Sequence, residues 1–219
     1  MNTHEIMQIV KDREREKLFL ISKANGKPLF NFRETKRENR IAWVMNGVLG
    51  KIPGNVIEIG CGFGDVTCVW SKVVERYDKR VICVDPFEKS FEKSIGEEYY
   101  KDYCEPYTKA KFRATTKDCK NIVLIEECST SKVLKDLLAE YKPFSFSFLD
   151  GIQTKDVILN DLKLMQLMEV PVICVDDMNR LTDKSQVPLG VKEFIKDDNY
   201  VLMDFITQQE AYMVRNNLI

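Results

Sequence analysis

The spacing of apolar positions divides the chain into two regimes. Up to residue 54 they recur at helical intervals, which predicts one helix over Glu5–Lys23 and a second from a Thr35 cap to Leu49. Ile41, Trp43, Val44 and Val48 mark the apolar face of the second, and Asn25-Gly26-Lys27-Pro28 breaks the chain between them. After Pro53-Gly54, short continuous apolar runs alternate with helical patterns. Strands are expected at Val56–Ile59, Arg80–Val84, Asn121–Ile125, Phe144–Leu149 and Val170–Val175. Helices are expected over about Asp65–Tyr77, Pro106–Lys117, Lys132–Tyr141 and Lys155–Met168, with a short one over Gly190–Lys196. Tyr200–Thr207 and Ala211–Arg215 lie close enough in sequence to form a hairpin. Apolar strands alternating with helices imply a doubly wound α/β fold: a mostly parallel sheet covered on both faces. The hairpin adds a sixth strand and an antiparallel seventh. One domain over 1–219 is expected, with 1–54 a helical cap on a core spanning 55–219.

Composition narrows the partners. Net charge is −1 and 44% of residues are hydrophobic, so nothing in the total charge draws the chain to nucleic acid or a membrane. Residues 1–54, however, carry eleven Lys/Arg against six Asp/Glu. Such a segment is either a solvated amphipathic helix or a face for an anionic substrate. Seven cysteines stand without CxxC or Cys/His zinc spacing, as expected of thiols in a reducing compartment. Met1–Val10 is polar and Lys-Asp-Arg-Glu-Arg-Glu follows it, and no apolar run reaches membrane-spanning length. A cytoplasmic protein is expected, and a homo-oligomer is compatible with it.

The strongest chemical signal is Glu58-Ile59-Gly60-Cys61-Gly62-Phe63-Gly64 at the end of the first strand. Glycines let the chain turn tightly and let a ligand approach backbone, and a helix N-terminus with free N–H groups follows. A loop of this kind can cradle pyrophosphate. Two details argue otherwise. The third glycine comes two residues after the second, where the dinucleotide fingerprint needs three. An acid, Glu58, lies inside the strand end and suits a cationic ligand better than a phosphate.

On these residues the chain resembles the class I S-adenosylmethionine-dependent methyltransferases, whose first motif is an acid followed by Gly-x-Gly-x-Gly. The resemblance implies a Rossmann-like seven-stranded fold and S-adenosyl-L-methionine as cofactor. It implies cofactor contacts from Glu58, Gly60, Cys61, Gly62 and Gly64. It implies others from Asp85, Pro86 and Phe87, where the acid closing the second strand holds the ribose hydroxyls. A carboxylate accepting two hydroxyl hydrogen bonds suits a vicinal diol. After the third strand the family often sets an acid against the adenine amine. Here Glu127-Cys128-Ser129 stands there, with Cys128 at the acid's position and Ser129 fitting the cap of the next helix.

Two later segments resemble the metal-dependent small-molecule and sugar O-methyltransferases, the macrocin O-methyltransferase-like branch. They are Asp150-Gly151-Ile152-Gln153 after strand four and Asp176-Asp177 after strand five. The resemblance implies that Asp150, Asp176 and Asp177 hold Mg²⁺ or another divalent cation, with Asp150 also near the cofactor. The other reading of such acids is that they cap the following helices. Asp150, Gln153 and Asp177 are the catalytic candidates. Gln153 occupies the place of the relatives' histidine and cannot take a proton. The base is then the metal-activated system alone, or Asp177, Asp156 or Lys184. Val187-Pro188-Leu189-Gly190 is read as part of the substrate rim.

The implied reaction is methyl transfer to a hydroxyl of a sugar or other small metabolite, an anionic one included. Two other readings stay open. One is a metal-independent methyltransferase on another acceptor, and the other is a catalytically silent cofactor-binding protein.

Overall fold

Five short strands built almost wholly of Val, Ile, Leu, Phe and Cys lie side by side and parallel. They are β1 (Asn55–Ile59), β2 (Val81–Val84), β3 (Ile122–Ile125), β4 (Phe144–Leu149) and β5 (Val172–Val175). β6 (Tyr200–Met203) and β7 (Ala211–Arg215) complete a seven-stranded sheet in the order β3-β2-β1-β4-β5-β7-β6. β7 runs antiparallel to both of its neighbours, as the hairpin pattern predicts. The computed structural model describes residues 2, 4–9, 37–87, 108–178, 186–197, 199–203 and 210–216. The remainder of the first expected helix, the Thr35 cap, Lys184 and the end of the sixth-strand run lie outside the described residues.

Residues 4–9 are helical, and the further helices among the described residues are α1 (Arg37–Leu49), α2 (Asp65–Glu75), α3 (Lys109–Thr115), α4 (Leu134–Ala139), α5 (Lys155–Leu167) and α6 (Val187–Phe194). Period-2 alternation sends successive strand residues to opposite faces. On one face Val56, Cys83, Phe146, Phe148 and Cys174 meet Ile41, Met45 and Val48 of α1 and Trp70 and Val74 of α2. On the other, Ile57, Ile82, Val84 and Ile173 meet Leu134 and Leu138 of α4, Ile158 and Leu162 of α5, and Val191 of α6. Every residue of β2, β4 and β5 is buried; β2 and β5 are unbroken apolar runs, as expected of strands covered on both faces, whereas β4 buries Ser145 and Ser147 among its phenylalanines.

Among the helices whose bounds differ from the sequence reading, two bear on the site. The helix expected to start at Gly190 starts at Val187, so Val187-Pro188-Leu189-Gly190 is its first turn and not a loop rim. Pro188 suits that turn because its missing N–H would have had no helical partner. A Cβ at Gly190 would come within 2.8 Å of Ile158, so this glycine permits close packing of α6 on α5. The helix expected over Lys132–Tyr141 is confined to Leu134–Ala139. Turn bonds from Ser131 N–H to the Cys128 carbonyl and from Leu134 N–H to Ser131 replace its first turn.

β1 and β4 are adjacent, and the chain order reverses between them. In open α/β sheets ligands bind outside the carboxyl ends of the strands at such a switch point. The glycine loop leaves β1 there, and Asp150 leaves β4.

Candidate active site

The loop from β1 to α2 turns on three glycines in the left-handed region: Gly60 at φ 85°, Gly62 at 52° and Gly64 at 86°. Each conformation disfavours a side chain. Space reinforces this at two of them. A Cβ on Gly60 would overlap the Asp150 carbonyl and sit 2.8 Å from Gly151 Cα. One on Gly64 would sit 2.7 Å from Thr116 and 3.0 Å from Phe112. The first glycine therefore joins the β1 and β4 loops, and the third lets α3 pack on the start of α2. Hydrogen bonds fix the strand ends in step. Gly60 N–H donates to Val84 at 3.0 Å, Asp150 N–H to Ile59 at 2.9 Å and Asp176 N–H to Leu149 at 3.1 Å.

Asp85 links the first two strand ends. Its Oδ2 accepts from Gly62 N–H at 3.0 Å, and its Oδ1 accepts from Phe87 N–H at 2.9 Å. Burial raises the carboxyl above its ordinary range, and these backbone donors oppose the rise. Pro86 follows at the rim, and buried Phe87 takes φ 48° with its ring 5.6 Å from that of Phe112.

Glu58 is fully buried beneath the glycine loop, on the sheet face covered by α2. Its Oε2 accepts from the Thr67 hydroxyl at 2.6 Å and from the Cys83 thiol at 3.7 Å. Burial pushes its carboxyl up to about 8, opposed by the Thr67 bond and aided by the Asp150 charge. Cys61 shares this compartment, its thiol donating toward the Glu58 and Val84 carbonyls. Burial raises the thiols of both Cys61 and Cys83. Glu58, Cys61 and Cys83 thus share one buried compartment under the loop, where burial disfavours the charged form of each, so Glu58 is not the exposed carboxylate that its place at the strand end suggests.

The third strand end carries Glu127, Cys128 and Ser129, all half-buried. Neighbouring Glu126 pairs with Lys109 of α3. Ser129 does not cap a helix: α4 starts five residues later, without a side-chain cap, and the Ser129 carbonyl accepts from the Asn160 amide at 3.1 Å.

The fourth and fifth strand ends bring three acids together. Asp150, Asp176 and Asp177 each offer a carboxylate oxygen, all within 4.8 Å of one another. Asp176 and Asp177 are 2% and 4% exposed. Asp177 takes φ 58°, a conformation that Asp tolerates better than most residues. Gln153 donates its side-chain amide to Asp177 Oδ2. Its backbone carbonyl accepts from Gln186 N–H at 2.7 Å, tying the β4 loop to the start of α6. Hard, buried oxygen donors of this number suit a divalent cation. Asp156 is exposed on α5, so it stands apart from this cluster.

Two buried groups escaped sequence reading. Thr67 fixes Glu58. Asp161 is fully buried in α5, with its Oδ2 3.8 Å from where a Gly151 Cβ would stand. Burial pushes its carboxyl up to about 7, opposed by the Ser129 and Asn160 side chains. An acid between Ile158 and Leu162, on the buried stripe of a helix, is the signal that marks it.

Comparison with known proteins agrees with this layout. Residues 57–177 match the family model described as a methyltransferase domain. No curated protein matches the chain. Among solved structures, the O-methyltransferase NovP aligns with a TM-score of 0.63 at 11% identity over 97% of this chain and 98% of its own. CalS11, a TDP-rhamnose 3'-O-methyltransferase of calicheamicin biosynthesis, aligns at 0.55 and 13% identity over 94% and 93%. The mycinamycin-pathway methyltransferase MycE, in complex with Mg, S-adenosylhomocysteine and mycinamycin VI, aligns at 0.51 and 15% identity over 75% and 45%. With its glycine loop, its acid at the second strand end and the family match across β1 to β5, the chain belongs to the methyltransferase-domain family of class I S-adenosylmethionine-dependent methyltransferases.

Proposed function

We propose that this enzyme is an O-methyltransferase that methylates a hydroxyl of a sugar or other small metabolite with the help of a divalent cation. The observation that carries the reading is the convergence of Asp150, Asp176 and Asp177 at the switch point, beside the glycine loop. The similar structures support it: NovP is an O-methyltransferase, CalS11 a TDP-rhamnose 3'-O-methyltransferase, and MycE is in complex with Mg.

S-adenosylmethionine, when bound, supplies an activated methyl for in-line displacement, and a divalent cation lowers the pKa of an alcohol that contacts it. The rest falls to the chain. Gly60, Gly62 and Gly64 present backbone without side chains to the methionyl part. Asp85 spends one lone pair of each oxygen on Gly62 and Phe87, which leaves acceptor capacity for a ribose diol. Glu127, Cys128 and Ser129 border the adenine side. Asp150, Asp176 and Asp177 would hold the cation, which would lower the pKa of an acceptor hydroxyl. Gln153 fixes Asp177 and takes no proton, so deprotonation rests on the carboxylates, with Asp177 the one held in orientation. In this reading residues 1–219 act as one cytoplasmic catalytic unit with 1–54 as its helical cap. Among the described residues no helix is long and apolar enough to cross a membrane.

The test is turnover of S-adenosylmethionine with a panel of sugar and sugar-nucleotide acceptors, with and without EDTA. Turnover lost in EDTA and restored by Mg²⁺ is expected. EDTA-insensitive turnover would remove the metal from the reading. Cofactor binding without turnover on the whole panel would favour a silent binding protein, the case that the missing histidine supports.

A further inference from the structure

Cys68 of α2 and Cys119, in the turn after α3, meet at the outer edge of the glycine loop. The Cys119 thiol donates to Cys68 Sγ across 3.6 Å, and the Cys68 thiol donates to the Thr115 carbonyl at 3.6 Å. Both are partly exposed, whereas Cys61, Cys83 and Cys174 are buried. Their surroundings bear on the cofactor loop. Cys119 N–H donates to the Thr116 carbonyl at 2.9 Å, and Thr116 and Phe112 are the side chains against which Gly64 packs. Phe112 also backs Phe87 at the second strand end. A disulfide needs the sulfurs at about 2.05 Å, an approach of the size that side-chain rotation supplies.

We propose that Cys68 and Cys119 are a redox modification site, at which a low-molecular-weight disulfide such as oxidised glutathione installs a bond that clamps α2 to the α3 turn and slows cofactor-product release. Cys119 is the attacking group. Burial and the neighbouring Cys119 push the Cys68 thiol up, which makes it the slower of the two to attack first. The Cys119 thiol loses its proton to solvent, and its sulfur attacks one sulfur of the reagent, displacing one reagent thiolate. Cys68 then gives up its proton and attacks the Cys119 sulfur, displacing the second. The protein loses two hydrogens and the reagent is reduced to two thiols.

The full-length protein is incubated with oxidised glutathione, and its thiols are counted after denaturation. Of seven cysteines, five are expected to remain titratable, with one cross-linked peptide joining Cys68 to Cys119. Release of S-adenosylhomocysteine, followed by stopped flow, is expected to slow by about fivefold, the low end of ordinary coupling between sites. Dithiothreitol reverses both effects, and Cys119→Ser shows neither cross-link nor slowing. An unlinked pair, a cross-link through other cysteines, or a linked protein with unchanged release would each overturn the proposal. The release readout rests on the methyltransferase reading and the peptide map does not, so the two fail separately.

Discussion

Gln153 donates its side-chain amide to Asp177, from the fourth strand end to the fifth. The bond gives a role to a residue that is useless as a base. It holds the carboxylate of a residue whose backbone is already in the left-handed region. Outer partners of metal-holding carboxylates typically contribute 10–100-fold in metal affinity or activity. Gln153→Ala is therefore expected to lower turnover by about 10–100-fold at limiting Mg²⁺, with S-adenosylhomocysteine affinity unchanged. Gln153→Glu sets a second carboxylate against Asp177 and is expected to lower it further. Steady-state kinetics across a Mg²⁺ titration check both, and wild-type turnover in Gln153→Glu would deny the bond any functional part.

Asp85→Ala removes the acceptor for two backbone N–H groups at once, those of Gly62 and Phe87. Both loops then lose their common anchor, and in the proposed site the ribose would lose its carboxylate. S-adenosylhomocysteine is expected to bind at least about tenfold more weakly, which is about 1.4 kcal/mol. Titration calorimetry measures this directly. Affinity within error of wild type would mean that the diol is held elsewhere.

Gly60→Ala tests the cradle itself. The left-handed backbone alone costs an alanine about 1–2 kcal/mol. The methyl would also press on the Asp150–Gly151 backbone, which has no flexible end to yield. The variant is expected to melt earlier than wild type and to lose most of its S-adenosylhomocysteine affinity. A thermal melt with and without the ligand reads both effects. A full ligand-induced shift in this variant would place the cofactor away from the loop.

Much of this was legible before the structure, for definite reasons. β4 begins at Phe144 and ends at Leu149 as read, because three phenylalanines and a leucine mark a strand bounded by Pro143 and Asp150, although Ser145 and Ser147 are buried within it. The glycine loop was legible because positive φ leaves a compositional mark. The acids of β4 and β5 were legible as strand ends, and their convergence follows from the β1-β4-β5 order. The start of α6 was not legible, because Pro188 and Gly190 read as loop signals where one opens a helix and the other packs it. Nor was the setting of Glu58. Sequence places it in register at the strand end, but only the packing of α2 shows that Thr67 covers it and that burial raises its carboxyl.

Asp150→Ala separates cation from cofactor. Asp150 touches the glycine loop through its backbone carbonyl, which the substitution keeps, and contributes its carboxylate to the acidic cluster, which the substitution deletes. Cofactor affinity is expected to stay within about tenfold, or 1.4 kcal/mol, while methyl transfer is lost. Substantial activity in this variant, by radiolabel transfer, would refute the metal role of the cluster.

The buried carboxyls make stability depend on pH in a direction opposite to the usual acid denaturation. In the folded chain Asp161 keeps its proton up to about 7 and Glu58 up to about 8, while their ordinary values are 3.8 and 4.5. Between those limits the folded state binds more protons than the unfolded one. Stability therefore falls as pH rises through that window. Asp85, also raised by burial, adds to the same slope. Lys79, whose ammonium burial lowers below 10.5, acts with the opposite sign. The urea midpoint is expected to decline steadily from about pH 5 to about pH 8 in the absence of metal and cofactor. Asp161→Asn should remove the part of the decline that ends near 7, and Glu58→Gln the part that ends near 8. A midpoint that climbs across this range in wild type, or a decline unaltered in both variants, would show that these carboxyls ionise freely in the fold.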